Sequence, residues 1–359
     1  MRVLFLVNEL LTVCGVSKHF YHLLKGLKEL YPEQSYYVIC GGGDIEALNK
    51  FKALDVPIIV NPKMKHETRS FAGYFIGVKD IYQFIRKNKI DVIHSHHHYS
   101  ASIASKAAKI TATKTILTNH GILPEIGILS HFCAESIIVI NEHVKEYLLK
   151  NNIKPDERIH LIPHGFPIKK TIKKTIKNRD KKIKVLTGGR FVKDKCFDVY
   201  IKAISNLTDK VKNKAEFYIA GAGEEEDSLS KLNNLLGSNI EFLGKVNDFP
   251  AKLEEMDVFV MASKFEGFPT ILIEAGLAHN LIITSNFLGL SFVLSSKHAM
   301  IFDIDNVKLL SNYLEKAILY YDDFSDQISA FNKLVITQFT QKKMIKRTFE
   351  LYSQILDKK

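Results

Sequence analysis

The chain has 359 residues, of which 46% are hydrophobic and 25% are charged, so it is not a disordered tail, a collagen-like fibre or a disulfide scaffold as a whole. Its length predicts two domains of ordinary size. The net charge of +11 indicates an anionic partner, and nucleic acid, anionic lipid and a phosphorylated substrate all fit that charge.

Short apolar segments alternate with amphipathic segments in the first half of the chain. The predicted strands are Val3–Val7, Tyr36–Cys40, Pro57–Val60, Asp91–His94, Lys114–Thr118 and Ser136–Ile140. The predicted helices are Val16–Leu30, Phe71–Arg86, Ser100–Lys109 and Glu142–Lys150. Strands with apolar residues on both faces, separated by helices, predict a parallel sheet that is covered on each side.

The alternation stops at a basic segment and then starts again. Residues 169–184 contain nine Lys or Arg and one Asp, so they hold +8 of the net charge of +11. The strands predicted after this segment are Lys184–Thr187, Glu216–Ala220, Asn239–Leu243, Asp257–Ala262 and Leu281–Thr284. A final helix is predicted over Gln341–Leu356, and its apolar spacing does not indicate which domain it packs on. The sequence therefore predicts an α/β protein with two doubly wound domains joined by a linker.

The sequence predicts neither a signal peptide nor a membrane span. The N-terminal apolar run covers only about five residues, which fits a buried strand. The longest run without charge, Ala275–Ser296, contains His279, Asn280 and Asn286. The four cysteines form no Cys-x-x-Cys pair, which favours reduced thiols. We therefore expect a cytoplasmic protein.

Charged residues follow one predicted strand of the second domain at the edge where ligands bind in such sheets. Gly188, Gly189 and Arg190 come after Lys184–Thr187, with Lys195 at the start of the next predicted helix. Two cations beside glycines and a helix N-terminus suit a diphosphate. A surface Arg and Lys near a turn would give the same pattern.

A second candidate segment follows the predicted strand Asp257–Ala262. Glu266 lies in the loop, Gly267–Thr270 are predicted to leave free backbone N–H groups at the start of a helix, and Glu274 lies one turn inside it. The carboxylate inside the helix could accept hydrogen bonds from sugar hydroxyls. Alternatively, both glutamates could simply favour the positive end of the helix dipole. The order of loop, Gly, Pro, Thr and helix favours a binding role.

The segment from Glu266 to Glu274 resembles the Glu-x7-Glu signature of retaining glycosyltransferases of family 4, which have the GT-B fold. The resemblance extends over nearly the whole chain, and its motifs occur in the family's order. They are Cys14-Gly15-Val16-Ser17, DVIHSHHH, LTNHG, LIPHG, GGRFVKDKCFD, YIAGAGEEED, IEFLGKV, MDVFVMASKFEGFPTILIEA and the closing FTQ…LYSQIL helix.

The resemblance implies two Rossmann-like domains with a cleft between them. Residues 1–168 would form the N-terminal, acceptor-side domain, with a C-terminal helix of about residues 341–359 packing back on it. Residues 169–182 would be a basic linker, and residues 183–340 the C-terminal domain that binds a nucleotide-sugar.

The resemblance also implies the roles of individual residues. Arg190 and Lys195 would bind the donor diphosphate and stabilise its departure. Glu274 would hold the ribose hydroxyls, and Glu266 the hydroxyls of the donor sugar. His120 would lie near the transferred sugar, which makes Arg190, Lys195, Glu266 and His120 the candidate catalytic residues. Further donor contacts are expected from Gly15, Gly189, Val246 near the base, and the backbone of Gly267, Phe268, Pro269 and Thr270.

The chain departs from the family at four of these positions. Cys14 and Cys196 stand where the family usually has Gly, and His279 and Leu281 replace Gly and Pro after the helix of Glu274. The charged residues are retained, so these changes bear on donor identity and loop geometry more than on activity.

Four histidines follow a predicted strand: His94, His96, His97 and His98. Together with His120 they suggest a zinc site, but no carboxylate or Cys completes a set at a metal-ligand spacing. We therefore expect no metal site, with one or two of these histidines lining an acceptor cleft and the rest solvated. His164 occupies a usual Asn position and is expected to be structural.

The implied activity is transfer of a sugar, with retention, from a nucleotide-diphosphate sugar to a hydroxyl of a carbohydrate or lipid-linked carbohydrate, in bacterial surface polysaccharide or lipopolysaccharide synthesis. It implies no cofactor and no metal, and we expect a UDP-sugar rather than a GDP-sugar as co-substrate. A GT-B epimerase or phosphorylase is the alternative. The four acids Glu224–Asp227 exclude a dinucleotide site in their loop.

The basic linker leaves two further partners open. A nucleic-acid-binding protein is a remote alternative, because residues 169–184 contain no aromatic residue on which a base could stack. The linker could instead touch an anionic membrane surface, as a peripheral contact on the cytoplasmic side, or simply be solvated.

Overall fold

The computed structural model describes residues 1–12, 14–121, 134–168 and 181–357. These residues fall into two units by their internal contacts. Unit 1 consists of Met1–Pro167 together with Phe339–Lys359, and unit 2 consists of Ile168–Gln338. Most of the segment expected to be a basic linker, residues 169–180, lies outside the described residues.

Unit 1 is built on one parallel sheet. Its strands are β1 (Arg2–Val7), β2 (Ser35–Cys40), β3 (Ile58–Val60), β4 (Val92–Ser95), β5 (Lys114–Asn119), β6 (Ser136–Val139) and β7 (Ile159–Leu161). Their order in the sheet is β3-β2-β1-β4-β5-β6-β7. The helices between them are α1 (Gly15–Leu30), α2 (Ile45–Lys52), α3 (Phe71–Asn88), α4 (His98–Ala108) and α5 (Glu142–Lys150).

Helices cover both faces of this sheet. On β1, Val3, Phe5 and Val7 pack into a cluster that includes α1, whereas Leu4 and Leu6 pack into a cluster that includes α3 and α4. All five side chains are fully buried. Alternate residues of a strand point to opposite faces, so a strand buried on both faces must be apolar throughout. The predicted doubly covered parallel sheet is confirmed.

Unit 2 contains a second parallel sheet. Its strands are β8 (Ile183–Arg190), β9 (Ala215–Ala222), β10 (Glu241–Phe242), β11 (Val258–Met261), β12 (Leu281–Ser285) and β13 (Met300–Phe302), in the order β10-β9-β8-β11-β12-β13. Its helices are α6 (Phe197–Ser205), α7 (Asp209–Lys212), α8 (Glu226–Leu236), α9 (Phe249–Glu254), α10 (Thr270–Leu277), α11 (Leu290–Val293), α12 (Val307–Leu319) and α13 (Ser325–Gln338).

The last helix, α14 (Gln341–Asp357), belongs to unit 1 and packs on α1. Tyr31 of the α1 C-cap stacks on Phe349 with 3.6 Å between ring centroids. At Gly26 the two helices are so close that a Cβ atom would lie 1.8 Å from Ile345 Cδ1. Glycine at this position therefore sets how closely α14 approaches α1.

No helix in the described ranges is both long and apolar enough to span a bilayer.

Candidate active site

Strand order places the two charged segments of unit 2 next to each other. β8 and β11 are neighbours at the point where the chain order of the strands reverses. In open parallel sheets, ligands bind beyond the carboxyl ends of the strands at such a reversal. Arg190 is the last residue of β8, and Glu266 lies in the loop after β11. Both candidate residues therefore lie at the expected ligand-binding edge of unit 2.

Lys195 and Glu266 form an ion pair at this edge. Lys195 Nζ lies 2.5 Å from Glu266 Oε1, and the two side chains are 20% and 13% exposed. A backbone contact ties the two loops together, because the Lys264 amide donates to the Asp194 carbonyl oxygen at 2.8 Å. Shielding from water strengthens the Coulomb attraction between the two charges. The structure thus brings one candidate cation and one candidate carboxylate into direct contact.

Arg190 is exposed and forms no ion pair with a carboxylate of the described residues. Its location differs slightly from the prediction, because Gly188, Gly189 and Arg190 complete β8 rather than follow it. Lys195 ends a short 3-10 helix over Lys193–Lys195 and precedes α6. An exposed guanidinium offers N–H donors in the planar arrangement that suits phosphate oxygens.

Helix α10 begins at Thr270 and carries Glu274 one turn inside it. The Thr270 amide donates to the Phe268 carbonyl oxygen at 2.8 Å, and Pro269 has no amide hydrogen. The prediction of free N–H groups extending to Thr270 is therefore wrong at these two positions. Gly267 lies in the loop before them, and Phe268 is buried. Further along the first turn, the Leu272 and Ile273 amides both donate to the Pro269 carbonyl oxygen, at 3.0 and 3.4 Å.

The glycines of YIAGAGEEED have a packing role at the same edge. Gly221 has a φ of +150°, and a Cβ atom there would lie 1.9 Å from the Gly189 carbonyl oxygen. The Gly221 amide donates to the Gly244 carbonyl oxygen at 2.8 Å, which holds the segment after β10 against the end of β9. Val246, the residue expected near the base, lies two residues further on and is half-buried.

Unit 1 carries a cluster of five histidines near the carboxyl ends of its strands: His19, His94, His96, His120 and His164. His120 contacts two of the others, since its Nε2 lies 3.2 Å from His96 Nδ1 and its Nδ1 lies 3.1 Å from His164 Nε2. His19 of α1 stacks on His164 with 4.1 Å between ring centroids. Four separate segments of unit 1 thus meet at His120.

The cluster also reaches α14. His94 Nδ1 lies 2.6 Å from the Tyr352 hydroxyl, and His94 Nε2 lies 2.7 Å from Thr118 Oγ1. Both nitrogens of His94 are therefore satisfied inside the protein. His94 and His96 are 0% and 2% exposed, so neither of these two strand-end histidines is solvated. Burial here follows from their position at the end of a central strand.

Burial lowers the pKa of every histidine in the cluster. The pKa of His94 and of His164 falls to about 3, chiefly because burial disfavours the charged ring. The pKa of His19, His96 and His120 is lowered well below its ordinary value by burial and by the neighbouring histidines. At neutral pH the rings are therefore uncharged, with one donor and one acceptor nitrogen each.

Three of these residues could hold a metal ion. One nitrogen from each of His19, His96 and His120 lies within 4.8 Å of the others, and His19 Nδ1 and His96 Nε2 are buried without a hydrogen-bond partner. Neutral imidazole is a ligand for zinc and copper. Sequence reasoning missed His19, although a signal was present: it lies four residues before Leu23, on the buried face of α1.

Two further observations concern motifs. A Cβ atom at Gly15, the first residue of α1, would meet no described atom within 4 Å, so packing within the described residues does not require glycine there. The sequence also contains Asp303-Ile304-Asp305, so an Asp-x-Asp motif is present and its absence is no argument for a metal-independent reaction. It follows the edge strand β13, two strands away from β11.

Comparison with known proteins identifies the family. A model described as Glycosyltransferase Family 4 matches residues 13–170, and one described as Glycosyl transferases group 1 matches residues 168–332. The chain is 25% identical to the phosphatidylinositol N-acetylglucosaminyltransferase GPI3 subunit of Saccharomyces cerevisiae, over 95% of this chain and 80% of that protein.

A bacterial relative and a solved structure agree with this assignment. The N,N'-diacetylbacillosaminyl-diphospho-undecaprenol alpha-1,3-N-acetylgalactosaminyltransferase of Campylobacter jejuni is 22% identical, over 87% of this chain and 89% of that protein. The crystal structure of Anabaena Alr3699/HepE in complex with UDP matches with a TM-score of 0.83 and 16% identity, over 99% of this chain and 100% of that one. The chain belongs to the family 4 glycosyltransferases and has the GT-B fold.

Proposed function

We propose that this glycosyltransferase transfers a hexose from a UDP-sugar to a hydroxyl group of a lipid-linked carbohydrate, with retention of the anomeric configuration and without a metal ion. The observation that carries the proposal is the Lys195–Glu266 pair beside the exposed Arg190, at the strand reversal of unit 2. Two cations and a carboxylate at one ligand-binding edge match the needs of a sugar joined to a diphosphate.

The donor is proposed to lie along this edge. Arg190 and Lys195 would neutralise the diphosphate, and Gly189 would let it approach the end of β8. Glu274 would accept hydrogen bonds from the ribose, with Val246 near the base. Gly267, Phe268, Pro269 and Thr270 would line the start of α10. The HepE complex with UDP supports a uridine nucleotide over a guanosine nucleotide.

The reaction itself is a single exchange of bonds. An acceptor hydroxyl oxygen forms a bond to the anomeric carbon while the bond from that carbon to the diphosphate oxygen breaks. The bonding electrons leave with UDP, and the hydroxyl proton passes to the departing phosphate oxygen. Arg190 and Lys195 act where negative charge grows, which is the most effective place for electrostatic stabilisation. Glu266 would hold the sugar hydroxyls.

The acceptor and setting are inferred from the relatives. The names of the yeast and Campylobacter proteins place phosphatidylinositol and a diphospho-undecaprenol sugar in their reactions. Both acceptors are lipids, so we propose a lipid-linked acceptor here, used on the cytoplasmic face of the membrane in surface polysaccharide or lipopolysaccharide synthesis.

The first experiment compares donors and cation variants. UDP- and GDP-sugars are screened by thermal shift, because a ligand that binds only the folded state raises the melting temperature. Arg190→Ala and Lys195→Ala should each raise the barrier to transfer by about 2–4 kcal/mol, as loss of other oxyanion donors does. Lys193→Ala is the matched control, since Lys193 is an exposed cation in the same 3-10 helix.

Three outcomes would contradict the proposal. Near-normal transfer by either cation variant would remove the central role of the pair. An inverted anomeric configuration of the product, read from its nuclear magnetic resonance couplings, would exclude retention. Conversion of a nucleotide-sugar to its epimer without any acceptor would favour the GT-B epimerase instead.

A further inference from the structure

Helix α3 of unit 1 presents large apolar side chains to solvent. Phe71, Phe75 and Ile76 are 85%, 56% and 46% exposed, and the two phenylalanine rings pack edge to face with 5.0 Å between centroids. Single exposed apolar residues are common on protein surfaces. Two neighbouring aromatic rings and an isoleucine on consecutive turns of one helix form a patch, and exposed apolar patches mark interaction sites.

The same side of α3 becomes cationic further along the helix. At 100° per residue, Lys79 and Arg86 fall on the outward side together with Phe71 and Phe75, and both cations are exposed. We call this surface, made of Phe71, Phe75, Ile76, Lys79 and Arg86, the α3 face. The opposite side of the helix is buried through Gly73, Gly77, Ile81 and Ile85.

Basic residues strongly outnumber acidic residues around the α3 face. Residues 59–89 contain seven Lys or Arg and two acids. Both acids are engaged within the protein, because Glu67 accepts from the Asn8 side chain at 3.1 Å and Asp80 accepts from the Asn61 side chain at 3.0 Å. Neither Lys79 nor Arg86 forms an ion pair within the described ranges.

The start of the α3 face, at Phe71, lies close to the ligand-binding edge of unit 1, and α3 runs from there toward the opposite edge of the sheet. The segment just before α3 is tied to the end of β1, since the His66 amide donates to Asn8 Oδ1 at 2.6 Å and Lys65 Nζ lies 2.7 Å from Glu9 Oε1. The backbone amide of Asn8 in turn donates to His97 Nδ1 at 3.1 Å, and this bond joins the ends of β1 and β4. This is the strand reversal of unit 1, where a ligand of a parallel sheet binds.

We propose that the α3 face docks on an anionic lipid bilayer. Aromatic rings enter the boundary between headgroups and acyl chains, and cations beside them are attracted to anionic headgroups. A second copy of the chain is a poorer occupant, because a two-fold contact through this face would bring the like charges of Lys79 and Arg86 together. Only the purpose of docking rests on the proposed function. A docked α3 face would bring the ligand-binding edge of unit 1 to a lipid-linked acceptor.

A fluorescence experiment tests the docking site directly, because the chain contains no tryptophan. Phe71→Trp places one reporter on the α3 face, and Leu235→Trp places a matched reporter on α8 of unit 2, where Leu235 is 80% exposed. Vesicles of phosphatidylcholine with phosphatidylglycerol should shift the emission of the Phe71→Trp protein to shorter wavelength and leave the Leu235→Trp protein unchanged. Vesicles of phosphatidylcholine alone should have a much smaller effect.

Vesicle sedimentation then measures the contribution of each half of the face. Phe71→Ser with Phe75→Ser, and Lys79→Gln with Arg86→Gln, should each lower the partition coefficient by about tenfold or more, whereas Leu235→Ser should not. All of these side chains are exposed, so the variants should keep the fold. A retained UDP thermal shift in each variant separates failure of this inference from failure of the proposed donor site.

Three results would overturn the inference. Unchanged emission of the Phe71→Trp protein on vesicles that bind the wild type would place the contact elsewhere. Undiminished sedimentation of both double variants would assign the membrane contact to the basic segment 169–184. A blue shift without vesicles that grows with protein concentration would identify a second copy as the occupant.

Discussion

At the scale of single residues, the Lys195–Glu266 pair joins two functions in one contact. An ammonium group has three N–H donors, so Lys195 can hold Glu266 and still donate to a phosphate oxygen. Without Lys195, a carboxylate that is only 13% exposed would lose its counter-charge beside an anionic ligand. In the proposed donor complex, the pair would allow a carboxylate to lie close to a diphosphate.

Neutral variants of the two glutamates, Glu266 and Glu274, should differ in their effects on UDP affinity and on the transfer rate. Glu266→Gln keeps the shape of the side chain and removes an anion near the diphosphate, so UDP affinity should stay within a few-fold while transfer falls by about tenfold or more. Glu274→Gln would weaken the proposed charge-assisted hydrogen bond to the ribose, so UDP affinity itself should fall by about tenfold. Calorimetric titration with UDP and initial transfer rates measure the two effects. A tenfold loss of UDP affinity in Glu266→Gln with normal transfer from bound donor would refute the assignment.

The backbone at single positions shows what the family comparison could and could not foresee. Cys196 and His279, two of the residues that replace the family's usual glycines, have φ values of 46° and 57°. Glycine adopts this left-handed conformation without a penalty. The glycine that is usual in the family at these two positions therefore indicates a positive φ, which this chain retains with Cys and His. In contrast, nothing in the sequence indicated that His94 bonds Tyr352, because 258 positions separate them along the chain.

At the scale of elements, the pattern of apolar residues predicted most strands and helices to within a few residues. Val3–Val7 and Glu142–Lys150 match β1 and α5 closely, because the first is an unbroken apolar run between Arg2 and Asn8 and the second places Val144 and Leu148 four residues apart on one helix face. The strands that were missed, β7 and β13, have three residues each and lie at sheet edges. Length alone does not account for this, because the edge strand β3 also has three residues and was predicted within Pro57–Val60.

The close approach of α1 and α14 gives a test at this scale. Gly26→Ala should lower the free energy of unfolding by about 1 kcal/mol, because overpacking against Ile345 outweighs the better helix propensity of Ala. In an Ile345→Val background, which removes Cδ1 but leaves Cγ1 at 2.9 Å from the added Cβ, the same change should be less destabilising. Urea unfolding of the four proteins in the cycle measures the coupling. Equal effects of Gly26→Ala in both backgrounds would show that the helices move apart freely.

At the scale of the whole molecule, the two units differ in the kinds of side chain that they place at their sheet edges and surfaces. Unit 2 carries the cations and carboxylates that suit a charged donor, and unit 1 carries uncharged histidines and an exposed apolar face. Both sheets have the same strand order around their reversal points. The same topology thus presents a polar, charged edge in one unit and a neutral, buried cluster in the other.

The histidine cluster makes the stability of unit 1 depend on pH. Burial lowers the pKa of His94 and of His164 to about 3 in the folded protein, whereas the ordinary pKa of histidine is about 6.5. Between these values the unfolded chain binds more protons, so stability is fully present above about pH 7 and is lost as the pH falls. Each of the two groups should contribute about 1.4 kcal/mol of lost stability per pH unit below 6.5.

Urea unfolding followed by circular dichroism at several pH values between about 7 and 5 checks this slope. His164→Asn introduces the residue that is usual at this position in the family and removes one buried titratable ring. This variant should therefore lose stability less steeply than the wild type as the pH falls. The difference in slope should be the contribution of one histidine, about 1.4 kcal/mol per pH unit. His66→Asn changes an exposed histidine of the same unit and should keep the wild-type slope. Identical slopes in the wild type and His164→Asn would contradict the prediction, because the buried ring of His164 would then accept a proton without a cost in stability. The cluster would have to open to water in the folded protein for this to occur.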